Sequence, residues 1–185
     1  MSEYGIPKKA VLILDIQEDF TGSNARMPVD PAQARGMIEN VNWLVAESQK
    51  RGVLVVYVKN AFHRYDLIGN LFRNRAAVKK SPGGAFDGRL AVVNENVFCK
   101  SRPDAFSNRD LEMFLLDRQV NELFMTGVFA ERCVYSTSKS ALAKGFAVTY
   151  IRDAVASRTM EAANKAAARI ERAGAIIRDT KTAFV

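Results

Sequence analysis

Four stretches of strand length in this chain are apolar almost from end to end: AVLIL (Ala10–Leu14), VLVVYV (Val53–Val58), LFM (Leu123–Met125) and FAVTYI (Phe146–Ile151). A strand with one wet face alternates polar and apolar residues, whereas these runs call for cover on both faces of their sheet. Helical segments lie between them. Asp30 and Pro31 supply an N-cap with proline at the first helical position, opening a helix to about Lys50 that Gly52 stops. Ser107–Asn108 can cap a helix through about Asp117 with Leu111, Phe114 and Leu115 on one face, Glu131–Leu142 is patterned as a helix, and an alanine-rich helix spans about Met160–Arg172 before Gly174. Asn96–Lys100 and Ala175–Ile177 add two shorter strands. Strands alternating with helices imply right-handed crossovers. The expected fold is a single α/β domain over residues 1–185, a three-layer α/β/α, Rossmann-like arrangement around a doubly wound, mostly parallel six-stranded sheet. Asp153–Ser157 reads as the exit loop of the fifth strand.

Composition narrows the function classes. No apolar run approaches the roughly 18 residues a membrane span needs, so no membrane partner is expected. The opening MSEYGIPKKA lacks the layout of a signal peptide, and two cysteines, Cys99 and Cys133, make neither a disulfide framework nor a metal motif. A cytoplasmic location follows as the expectation. The net charge of +7 invites a nucleic-acid reading. The basic residues, however, thicken in the middle third (Lys59, Arg64, Arg73, Arg75, Lys79, Lys80, Arg89) without forming an arm. A solvated basic face is favoured over a nucleic-acid contact, with an anionic substrate left open. Lys59–Asn94 is also the least regular segment and the candidate for a lid or substrate-recognition loop. Within it, Leu67, Ile68, Leu71 and Phe72 hint at an interface.

The chemistry-bearing residues fall at strand ends, where open α/β sheets gather their ligands. Asp15 follows AVLIL, Lys100 follows VFC, and Cys133 follows LFMTG in the first turn of the next helix. A thiol in that position feels the positive end of the helix and is expected to have a lowered pKa; the alternative is a buried structural cysteine. As a set, Lys100 would favour the Cys133 thiolate while Asp15 shuttles the proton. Period-two geometry turns Cys99 to the face opposite Lys100, where core packing is expected. Phe20, Phe62, His63, Tyr65 and Phe106 are candidates for the pocket wall.

Four segments in order, LILDIQEDF, CKSRPDAFSNRDLEMFL, TGVFAERCVYSTSKSAL and IRDAVAS, resemble the isochorismatase-like cysteine hydrolase superfamily, which includes nicotinamidases, N-carbamoylsarcosine amidohydrolases and ureidoacrylate or biuret hydrolases. The resemblance covers nearly the whole chain. It implies that Asp15 is the proton-transfer carboxylate, Lys100 the lysine and Cys133 the nucleophile of the family's triad. It further implies a cis peptide at Val128–Phe129 and an oxyanion site made by the backbone N–H groups of Phe129 and Cys133. A small-molecule substrate and a homo-oligomer, dimer or tetramer, are also implied.

Two departures shape the functional reading. Metal-binding nicotinamidases carry an Asp-x-His pair and a further histidine after the second strand, while this chain has one histidine, His63. No metal and no other cofactor is therefore expected. GVFA resembles the GVYA of true isochorismatases, which cleave a vinyl ether without needing a cysteine. The thiol of Cys133 favours instead the cleavage of a C–N bond in a small amide, carbamoyl or ureido compound through a thioester. An ether hydrolase using Asp15 as general acid and a non-enzymatic basic binding module are the alternatives.

Overall fold

The computed structural model describes residues 8–185; the opening residues from which the lack of a signal peptide was read lie largely outside this range. Six strands, β1 (Lys8–Leu14), β2 (Leu54–Asn60), β3 (Val97–Lys100), β4 (Val120–Val128), β5 (Ala147–Ala156) and β6 (Ile176–Arg178), form one sheet in the order β3-β2-β1-β4-β5-β6. Every pairing in it is parallel. The helices are α1 (Glu18–Thr21), α2 (Pro31–Arg51), α3 (Leu67–Phe72), α4 (Arg109–Asp117), α5 (Tyr135–Ala143) and α6 (Met160–Arg172).

The lack of alternation in AVLIL has its explanation in two cores. Ala10, Leu12 and Leu14 pack with Leu111 and Leu115 of α4, Ala141 of α5 and Ile170 of α6. Val11 and Ile13, on the other face, pack with Met37, Ile38, Val41 and Leu44 of α2. The start and stop of α2 follow from its ends: Asp30 accepts a hydrogen bond from the Gln33 N–H at 2.8 Å, and Gly52 closes the helix in a left-handed conformation at φ 65°.

Three elements differ from the sequence reading. The strand containing LFM does not end at Met125 but runs on to Val128 through Gly127. At φ 108° and with Leu14 O only 2.0 Å from where a Cβ would stand, this position admits only glycine. Beside it, a register shift between Met125 and Gly127 lets β5 keep pairing to Ala156, so Asp153–Ala156 is strand and only Ser157 leaves it. Cys99 is exposed instead of core. It does face away from Lys100, but β3 is the edge strand, where alternation chooses a face without guaranteeing that anything covers it.

The irregular Lys59–Asn94 segment contains α3, a 3-10 turn at Pro82–Gly84 and two isolated bridges, Gln17 to Phe86 and Phe62 to Val78. The buried Asp19 carboxylate holds it down, accepting from the Ala77 N–H at 2.8 Å. Leu67, Ile68, Leu71 and Phe72 are exposed.

Candidate active site

The strand order reverses at β1, flanked by β2 on one side and β4 on the other, which opens a crevice above their carboxyl ends. Asp15 is the first residue past β1. It has φ 59°, an uncommon conformation that aspartate tolerates better than most residues, and its N–H donates to Val58 O at 2.8 Å. Lys100 is the last residue of β3. Cys133 follows β4, within a π-helical turn at Ala130–Val134 that precedes α5, so the helix read as starting at Glu131 is two pieces. The peptide between Val128 and Phe129 is cis.

These three strand ends meet. Lys100 Nζ donates to Asp15 Oδ2 at 2.8 Å and lies 3.3 Å from Cys133 Sγ. All three residues are buried, and the Lys100 and Asp15 side chains are 0% and 1% exposed. Asp15 Oδ1 is buried and has no hydrogen-bond partner among the described residues, leaving a free acceptor atom in the cluster.

Two further side chains, not anticipated from the sequence, complete the cluster. Asn60 Oδ1 accepts a third Lys100 bond at 2.9 Å, and Asn60 Nδ2 makes a long contact of 3.9 Å with Cys133 Sγ. Gln17 fixes Asn60 from behind: its Oε1 accepts from the Asn60 N–H at 2.8 Å, and its Nε2 donates to Asn60 O at 3.0 Å and Gly84 O at 2.9 Å. The signal for Asn60 was its place at a strand's carboxyl end. It was hidden because β2 runs two residues beyond the apolar run read as ending at Val58.

Electrostatics in the cluster depart from expectation. Burial pushes the Cys133 thiol up to about 12, the Asp15 charge pushes the same way, and Lys100 pulls back only part of it. The expected lowering fails because Cys133 is largely buried, with little of it reached by solvent, and stands beside a carboxylate. For Lys100, burial opposes the charge, but Asp15 and then Cys133 outweigh it, and its pKa is raised. The resting cluster is an ammonium paired with a carboxylate, next to a protonated thiol.

The Cys133 side chain opens into a cavity of about 600 Å³. Phe20, Met27, Phe62 and Phe129 supply its apolar wall, with Phe20 and Phe129 edge to face at 5.5 Å between ring centres. Phe20 and Phe62 thus stand where the sequence reading put them. Phe106 does not: it is buried behind the site and stacks on Phe146 at 5.7 Å, because its 3-10 turn directs it into the α4–α5 core. His63 and Tyr65 lie outside the cavity, exposed, with their rings 5.2 Å apart on the surface. Both follow the end of β2 on a solvent-facing turn before α3.

Known proteins share this arrangement of chain. The isochorismatase domain model matches residues 9–182. An N-carbamoylsarcosine amidase from an Arthrobacter species is 28% identical over 164 residues, 82% of this chain and 60% of the amidase, so the match spans less than two thirds of that protein's length. An isochorismatase family protein of Bacillus subtilis is 30% identical over 165 residues, 83% of this chain and 89% of that one. In structure, a pyrazinamidase of Pyrococcus horikoshii in complex with zinc superposes with a TM-score of 0.83 at 26% identity, covering 94% of this chain and 99% of the other. The residues present here do not suit a zinc ion. The sole imidazole, His63, is exposed outside the cavity, and no group of three or more histidine, cysteine, aspartate or glutamate side chains with metal-binding geometry gathers among the described residues. With the match running nearly from end to end and the six-stranded sheet covered on both faces, the chain belongs to the isochorismatase family of hydrolases.

Proposed function

We propose that this hydrolase cleaves the C–N bond of a small amide, carbamoyl or ureido compound through a thioester on Cys133. The observation that carries the reading is the buried contact of Lys100 with both Asp15 and Cys133, the last of which lines the aromatic-walled cavity. In the first step Asp15 takes the thiol proton as sulfur attacks the carbonyl carbon, which explains why a thiol raised to about 12 is compatible with nucleophilic catalysis. The thiolate forms only as the bond forms. Lys100, 3.3 Å from the sulfur, stabilises the charge that develops there and holds the carboxylate in place. The N–H groups of Phe129 and Cys133 receive the oxyanion. Asp15 then returns its proton to the leaving nitrogen, the C–N bond breaks, and ammonia or an amine departs. Water, deprotonated by Asp15, attacks the thioester and releases the acid and the thiol.

A second reading is favoured by the same raised thiol: an ether hydrolase in which Asp15 protonates the substrate and the sulfur stays inert. Replacing Cys133 with alanine separates them. On a panel of small amides, carbamates and ureas, Cys133→Ala is expected to abolish turnover, and rapid quenching of the parent enzyme should give an acylated Cys133 by mass spectrometry. Amide turnover retained in Cys133→Ala would refute the thioester reading, and a vinyl ether cleaved equally by the parent and by Cys133→Ala, with no amide turned over by either, would establish ether cleavage instead.

A further inference from the structure

Three arginines from three separate parts of the chain reach the cavity that holds Cys133: Arg73 just past α3, Arg132 in the elbow turn and Arg158 just past β5. Among the described residues their only counter-charge on the cavity lining is Glu131, and that carboxylate already accepts a hydrogen bond from the Ser157 hydroxyl. Arg73 is shared with Asp66 and lies over the Phe62 ring at 3.9 Å, yet its Nε is buried without a partner among the described residues. Arg132 and Arg158 have no side-chain hydrogen bond or ion pair among the described residues; Arg158 has only the face of Phe129, 5.9 Å from its guanidinium.

Arg132 and Arg158 are exposed and Arg73 is half-buried, so the three guanidinium groups stand around the cavity where an entering anion meets them, and together they focus a positive field into it. The guanidinium fork matches the two oxygens of a carboxylate. Resting on the amide-hydrolase reading above, we propose that the substrate is an anionic one, a small amide, carbamoyl or ureido compound that also bears a carboxylate, and that Arg132 and Arg158, with Arg73, bind that carboxylate and set specificity. The aromatic wall of Phe20, Phe62 and Phe129 takes the apolar part between the two polar ends. Of the basic residues in the middle third, Arg73 is the one that lines this cavity.

The test uses two alkylating probes of nearly equal size, iodoacetate and neutral iodoacetamide, with rates followed at each cysteine by peptide mass spectrometry. Exposed Cys99 reports the intrinsic ratio of the two reagents. The expected result is an iodoacetate-to-iodoacetamide ratio at Cys133 about tenfold or more above that at Cys99, lost in Arg132→Gln/Arg158→Gln and at high salt. Equal ratios at the two cysteines, unchanged in the double variant, would overturn the proposal. Should Cys133 resist both reagents, saturation-transfer NMR with N-acetylglycine and N-acetylglycinamide decides: preference for the acid, abolished in the double variant, supports it, and equal binding or none of the acid overturns it. Neither readout requires turnover. A Cys133→Ala enzyme that keeps its activity while the anion preference persists would therefore sink the thioester reading alone.

Discussion

Replacing Lys100 with methionine removes one member of a buried ion pair while keeping the length of the side chain. The Asp15 carboxylate would then be left 1% exposed, with its Oδ1 already unpartnered and its Oδ2 stripped of a 2.8 Å bond. Breaking such a pair on one side costs about 3–5 kcal/mol, because a charge remains where water cannot reach it. In a chain of this size that corresponds to a fall in Tm of about 6 to 20 °C. Neutralising both members, as in Asp15→Asn/Lys100→Met, is expected to recover most of the loss, since two uncharged groups in the same space need no counter-charge. Urea unfolding of the parent and the three variants at neutral pH measures all four corners of the cycle. The pH dependence has a definite sign. The folded pKa of Lys100 is raised, so its contribution is fully present below the ordinary lysine value near 10.5 and is lost only as pH climbs through the folded value. The contribution of Lys100 should therefore still be present at about pH 9, and the gap between parent and Lys100→Met should narrow above the ordinary lysine range. A cost below about 1 kcal/mol, the size of an exposed pair, would refute the claim that these charges depend on each other in a dry site.

The raised thiol makes a separate prediction. Iodoacetamide modification of Cys133 should keep climbing about tenfold per pH unit above the usual thiol range near pH 8.5, with no plateau below pH 9; a plateau near neutral pH would show the sulfur to be a ready thiolate instead. Gly127→Ala is expected to cost more than about 4 kcal/mol, since its methyl would meet Leu14 O at 2.0 Å in a backbone conformation that L-residues avoid. Thermal unfolding within a few degrees of the parent would contradict the continuous β1–β4 pairing at that point.

Much of this molecule is legible in its sequence, and the failures have local causes. Asp30, Pro31 and Gly52 mark the limits of α2 because cap and stop chemistry act within a few residues. Asp15, Lys100 and Cys133 could be picked out without any contact information, because parallel strands deliver their last residues to one rim. Where structure and sequence pattern diverge, a partner distant along the chain decides the outcome. The β5 strand extends past Ile151 because β4 shifts register beside it, and Cys99 is exposed because no strand follows β3 at the edge. Phe106 was drawn to the pocket by its chemistry but turns to Phe146 in the core.

The site divides along the same line. Apolar periodicity, caps and the positions of strand ends are properties of neighbours along the chain, and they determine a doubly wound sheet with a carboxylate, an ammonium and a thiol on its rim. The charge state of those groups is not such a property. The ordinary thiol becomes one raised to about 12 because burial and Asp15 act on it through space. Asn60 and Gln17 enter the cluster, and three arginines enter the cavity, from positions far apart in sequence. Desolvation and Coulomb energy depend on distance in three dimensions, and only the folded chain sets those distances.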